Sequence, residues 1–190
     1  NSASSRKIII TVAASAPTLY YFCHYHSGMG GQANTNSTFG SSNFGGSIQS
    51  TVSANTTAGF SVGTYSGNSI SDATVGHGLS SAPEMIIVKR RTGTDNWQVY
   101  WNTGTERNGF LSLTNAFNTP AATAQWGTNV PTSSVFYVGN DNSNNASSND
   151  YVFYAFHSVK SYSKFEEYTG NSNADGAFIH TGFKPAVVII

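Results

Sequence analysis

Apolar positions along this chain come in short runs that alternate with polar ones, and clusters of Gly, Asn, Ser and Thr bound the runs. Period-two alternation of this kind marks a half-buried β-strand, whereas recurrence at three and four residues would mark a helix. "FSVGTY", "EMIIVKRR", "NWQVYW", "FLSLT", "SVFYVG", "DYVFYAFHSV" and the closing "AVVII" read as strands. Turn signals such as "RTGTDN", "NTGTERNG" and "GNDNSNNASSND" separate them. Upstream, "RKIIITV" (6–12) reads as a buried strand, "AASAP" as a turn and "TLYYFC" as a second strand. No segment of adequate length carries a helical period. The expected fold is therefore all-β, an antiparallel β-sandwich or jelly-roll module.

The stretch from residue 32 to 58 breaks this rhythm. It is almost entirely Asn, Ser, Thr, Gly and Ala, interrupted by Phe39, Phe44, Ile48 and Val52, and its composition predicts a linker. Three parts follow: a terminal hairpin over 1–31, a linker over 32–58 and the sandwich module over 59–190. Within the module a pattern returns. "YSGNSISDATVGHGLSSAPEMIIV" (65–88) realigns with "YTGNSNADGAFIHTGFKPAVVII" (168–190) at one constant offset, so that Gly67-Asn68-Ser69 matches Gly170-Asn171-Ser172, Asp72 matches Asp175 and His77 matches His180. Pro83 and Pro185 follow after a slip of one residue, each ahead of a β-branched run. The shared spacing predicts a unit of about a hundred residues whose next copy opens at Tyr168. With the opening at Asn1, it reads as a portion of a longer polypeptide.

Charge narrows the partners. Lys+Arg and Asp+Glu balance at 9 each and only 9% of residues are charged, so there is no basic footprint for nucleic acid or an anionic membrane. No apolar run approaches the length of a membrane span, and no secretory leader is recognisable. The polar surface is instead built of hydroxyl and amide side chains. With 13% aromatics and 19 glycines, this profile suits an all-β extracellular or virion protein.

Chemistry concentrates in "LYYFCHYHSGMGG" (19–31), where the single cysteine, two of the 5 histidines and one of the 2 methionines fall close together. Cys23, His26 and Met29 would set a thiolate, an imidazole and a thioether around one point, a donor set that suits copper. "TLYYFCHYHSGM" resembles the C-terminal ligand loop of the cupredoxins, the blue-copper β-sandwich family, and "KIIITV" with "APTLYYFC" resembles the last hairpin of that fold. The resemblance implies that Cys23, His26 and Met29 take the family's thiolate, histidine and axial methionine positions, and that His24 points away. The family also uses a histidine on an earlier strand, which no residue here supplies. The expectation is thus a scaffold hairpin without a bound cofactor, with copper-dependent electron transfer as an alternative.

The ligand-loop ending, the polar segment and the module reading "TVGHGLSSAPEMIIVKRRTGTDNWQVYW" and "YSKFEEYTGNSNADGAFIHTGFKPAVVII" together resemble structural proteins of marine bacteriophages, notably of cyanobacterial and SAR11-type hosts. That resemblance covers nearly the whole chain from about residue 6. It implies a non-enzymatic segment of a tail fibre or other virion appendage, assembled as a homo-oligomer, with a trimer expected. Other virion proteins and a host surface glycan are the implied partners.

"NWQVYW" places Trp97, Val99 and Trp101 on one strand face and Gln98 and Tyr100 on the other. Trp97, Tyr100 and Trp101 are candidates for stacking on sugar rings, set against core packing as the commoner use of such alternation. Asp141 and Asp150 offer oxygen ligands that calcium accepts, set against a plain polar hairpin loop. Asx-turn capping is the expected role of Asp72 and Asp175, and a structural hydrogen bond that of His77 and His180. No nucleophile elbow, zinc-protease motif or phosphate loop is present, and the adjacent Glu166 and Glu167 would point to opposite faces of a strand. No enzymatic activity is expected.

Overall fold

The computed structural model describes residues 19–22, 24–25, 30–33, 40–111, 116–118 and 121–190. At the N-terminal side, β1 (Leu19–Phe22) and β2 (Gly30–Ala33) form an antiparallel pair of their own. The remaining strands are β3 (Ser41–Asn43), β4 (Ser50–Asn55), β5 (Phe60–Ser66), β6 (Ala73–Gly76), β7 (Met85–Arg90), β8 (Gln98–Asn102), β9 (Glu106–Phe110), β10 (Val135–Val138) and β11 (Asp150–Phe156). Two single-turn helices, α1 (Thr123–Trp126) and α2 (Asn142–Asn145), flank β10. The fold is an all-β antiparallel sandwich, as the alternation predicts.

Seven strands form the main sheet in the order β3-β4-β5-β11-β7-β8-β9. The chain leaves this sheet twice. After β5 it crosses to β6 and returns as β7; after β9 it crosses through α1 to β10 and returns through α2 as β11, which inserts between β5 and β7. The two excursions, β6 and β10, pair with each other as the second layer, and Ile48 adds a parallel bridge to Val75.

Register puts one complete row on the inner face: Val52, Gly63, Phe153, Val88, Gln98 and Phe110 lie opposite one another across six strands. Gly63 is required there, because a Cβ would lie 2.4 Å from the Phe153 ring. Val75, Phe136, Val138 and Trp126 close the core from the second layer, with Phe136 against Phe153 at 5.1 Å and Tyr100 against Trp126 at 5.4 Å between ring centroids. Each such fully buried side chain contributes about 1.5–3 kcal/mol.

Several expectations need correction. Over residues 40–58 the expected linker (32–58) is not a linker: β3 and β4 lie there and belong to the main sheet, while Ile48 and Val52 are buried. Its polarity misleads because Ser50, inward-facing on β4, satisfies its hydroxyl on the Gly76 carbonyl at 2.7 Å. The β1–β2 pair likewise runs to Ala33, past the boundary expected at residue 31. β9 occupies Glu106–Phe110, taking up the second half of the expected turn "NTGTERNG" and only the first residue of the expected strand "FLSLT", because it pairs along β8 as an edge strand; residues 112–114 of that expected strand lie outside the described residues. β6 is not among the expected strands, because "ATVG" carries a single large apolar residue, Val75, and so shows no alternation. The closing "AVVII" is not a strand, since no neighbouring strand lies beside it among the described residues, and Val187, Val188, Ile189 and Ile190 are exposed.

Beyond β11 the chain turns back over the main sheet. Phe165 packs on Phe156 (5.7 Å) and Trp101 (6.1 Å), and Glu167 accepts from the Trp101 indole N–H at 3.1 Å while pairing with Arg107 at 2.9 Å. Glu166 pairs instead with Lys164, so the two adjacent acids serve different partners without being on a strand.

Candidate functional site

A dense polar constellation is built by residues 65–77, within the first copy of the repeat. Tyr65, next to last in β5, faces inward, stacks on Tyr151 at 5.2 Å, and donates its hydroxyl proton to the Asn144 carbonyl at 2.5 Å. Burial raises its pKa well above the ordinary phenol value, with the neighbouring Tyr151 adding to the effect. The next three residues dock on the same loop. The Gly67 and Ser69 amides donate to the Asn149 and Asn145 carbonyls, both at 2.8 Å. The Asn68 amide donates to Asn145 Oδ1 at 2.9 Å, and its own Oδ1 accepts from the Ile70 amide at 2.9 Å. A Cβ at Gly67 would meet the Ala146 carbonyl at 2.4 Å, so glycine alone allows this approach.

From the other side Asn145, fully buried, uses its amide group on the Ile70 and Gly139 carbonyls. The middle of the polar loop "GNDNSNNASSND" is thus interior, with Asn140, Asn142, Ser147 and Ser148 exposed around it: Ser143, Asn144 and Asn145 are buried because nearly every polar atom finds a partner. Apolar periodicity carries no signal for such a feature. The pairing of "GN" at 67–68 with an Asn-rich loop would have been the only hint.

Asp72 adopts a left-handed conformation (φ 60°) and bonds to the segment that follows α1. Its carboxylate accepts from the Thr128 amide at 2.6 Å and from the Thr128 hydroxyl at 3.1 Å, and the Thr128 amide is the main cause of its lowered pKa. It therefore bonds to a distant segment, and the Asx turn belongs to Asn68. His77 is wholly buried. The Leu79 amide donates to Nδ1 at 3.1 Å, leaving Nε2–H to donate to the Thr132 carbonyl at 3.1 Å. Burial first, and His157 nearby second, lower its pKa, against the Thr132 carbonyl, which favours the charged ring. Both ring nitrogens of the neutral imidazole are spent on the backbone.

The aromatic candidates divide between two surfaces. Tyr100 is on the inner face, 1% exposed, and donates to Glu106 at 2.8 Å; burial pushes its pKa far up. It has no access to a sugar ring. Trp97 and Trp101 lie with Val62, Ile87, Tyr154 and Phe156 on the outer face, where Trp97 stacks on Tyr154 at 6.4 Å and is 36% exposed.

A family model described as a domain of unknown function, DUF7483, matches residues 33–190. The chain belongs to the DUF7483 family. The matched DUF7483 region begins within β2 and takes in β3 and β4, in agreement with their place in the main sheet. Neither the search of characterised proteins nor that of solved structures gives a match.

Cys23, His26 and Met29, the candidate copper ligands, lie outside the described residues, as does the strand expected over 6–12. His24 is exposed and meets the Tyr25 ring edge-on at 5.0 Å. Within the DUF7483 region Asp141 caps α2 by accepting from the Ser143 amide at 2.8 Å, and Asp150 accepts from Ser66 at 2.6 Å. The two candidate calcium ligands serve different elements, and among the described residues no three His, Cys, Asp or Glu side chains converge as a metal site.

Proposed function

We propose that this chain is a structural, non-enzymatic part of a virion appendage such as a phage tail fibre, working outside the cell as a homo-oligomer. The observation that carries this reading is the use made of its reactive side chains: Tyr65, Asp72, His77 and Asn145 are consumed in bonds that lock one loop to another. A module built this way holds its shape without cofactor, disulfide or dense surface charge, which suits exposure outside a cell. The half-buried apolar outer face of the main sheet supplies the contact area for a symmetric homo-oligomer. Light scattering with electron microscopy tests it. The reading expects an elongated symmetric particle, a trimer first of all, whereas a monodisperse monomer at high concentration would overturn it.

One observation favours glycan attachment as a second reading. Trp97, exposed and backed by Tyr154, offers a ring face of the kind that stacks on sugars. Binding on a glycan array that Trp97→Ala abolishes would support it, and an array without signal would leave the scaffold alone.

A further inference from the structure

The two repeat copies occupy contrary environments. Tyr65 is 4% exposed and Tyr168 51%; Val75 is fully buried and its counterpart Phe178 is 93% exposed; Val88 is fully buried and its counterpart Ile190 is 95% exposed. Yet the turn is already formed in both. Asn171 Oδ1 accepts from the Asn173 amide at 3.1 Å, as Asn68 accepts from Ile70, and Ser172 (φ 54°) matches the left-handed Ser69 (φ 59°).

The residues held in common are those that in the first copy touch other segments: Tyr65 the Asn144 carbonyl, Gly67 the Ala146 carbonyl, Asp72 the Thr128 amide and His77 the Thr132 carbonyl. All these receiving groups lie between residues 128 and 149. In the second copy nothing comes within 4 Å of the position of a Gly170 Cβ, so the glycine has no local reason to be there.

We infer that residues 168–190 are a docking segment for a second unit with the sequence pattern of residues 89–167, received as residues 65–88 are received by the first. This inference stands apart from the proposed function. A second intact copy of the chain is the poorer occupant, since its own residues 65–88 already fill the place and are covalently attached there. The apolar run 186–190 would then form the strand corresponding to β7, paired on both sides.

The test compares the chain with the same chain extended after Ile190 by a second copy of residues 89–167, using hydrogen exchange. Amides over 168–190 should slow by at least about 100-fold in the extended chain, with those of β5 and β11 protected in both as the folding control. Gly170→Val should leave the unextended chain unchanged and remove the new protection from the extended one. Unchanged exchange over 168–190 with the controls intact would overturn the inference, as would full protection surviving Gly170→Val. Concentration-dependent protection in the unextended chain would overturn the choice of occupant in favour of a second copy.

Discussion

Tyr65 and Tyr168 head the same pattern of Gly, Asn, Ser, Asp and His, and the structure treats the two segments oppositely. Over 65–88 the pattern becomes the end of one strand, a turn and two further strands, with Tyr65 and His77 buried. Over 168–190 only the turn is made, and the apolar positions face solvent. The difference separates what is local from what is borrowed. An Asn side chain bonding two residues ahead and a serine in left-handed conformation need nothing beyond their own segment. Strands of four or six residues need a neighbour to take up their amides and carbonyls. The Asn-rich loop over 141–149 and strands β10 and β11 are that neighbour for the first copy.

Paired substitutions sharpen this contrast. Tyr65→Ala should cost about 3–5 kcal/mol in urea unfolding followed by tryptophan fluorescence, since it empties a core site and frees the Asn144 carbonyl. Tyr168→Ala should stay within about 0.5 kcal/mol. Equal losses would break the comparison. Next in size is His77→Gln, which should cost about 2–3 kcal/mol by leaving buried backbone groups unpaired, against no measurable change for His180→Gln.

The same histidine sets a pH dependence. His77 is held neutral, so the unfolded chain binds a proton more readily than the folded one as pH falls below about 6.5. Stability is then complete above that pH and declines on acidification toward the lowered folded value. The decline should vanish in His77→Gln and persist in His180→Gln when midpoints are compared at pH 7.5 and 5.5. The smallest effect belongs to Asp72→Ala, whose carboxylate meets Thr128 at the surface. It should lower the urea midpoint less than His77→Gln does, and Asp175→Ala should not move it.

The strands that bury an alternating apolar face were legible. "FSVGTY", "EMIIVK", "QVYW", "VFYV" and "DYVFYAF" each became a strand because their neighbours reward the period-two pattern. β4 was not, because Ser50 faces inward where an apolar residue would have announced a strand, and its hydrogen bond to the Gly76 carbonyl replaces hydrophobicity there, while the second half of the strand is exposed. "AVVII" misled in the opposite sense, its β-branched run lacking a partner strand. For the candidate site, the repeat was visible in the sequence, and a bonded His77 was the expected role. Its use as a lock was not, since that depends on Asn144 and Asn145 meeting Tyr65 and Asn68 across more than seventy residues of chain.

Amide hydrogen exchange at four matched positions tests the central claim most directly, namely that the shared residues form a lock only where the Asn-rich loop receives them. In the chain as it stands, the Gly67 and Ser69 amides, bonded to Asn149 and Asn145, should exchange only through global unfolding. The Gly170 and Ser172 amides should exchange at close to unfolded-chain rates. Comparable protection at the two pairs would contradict the account.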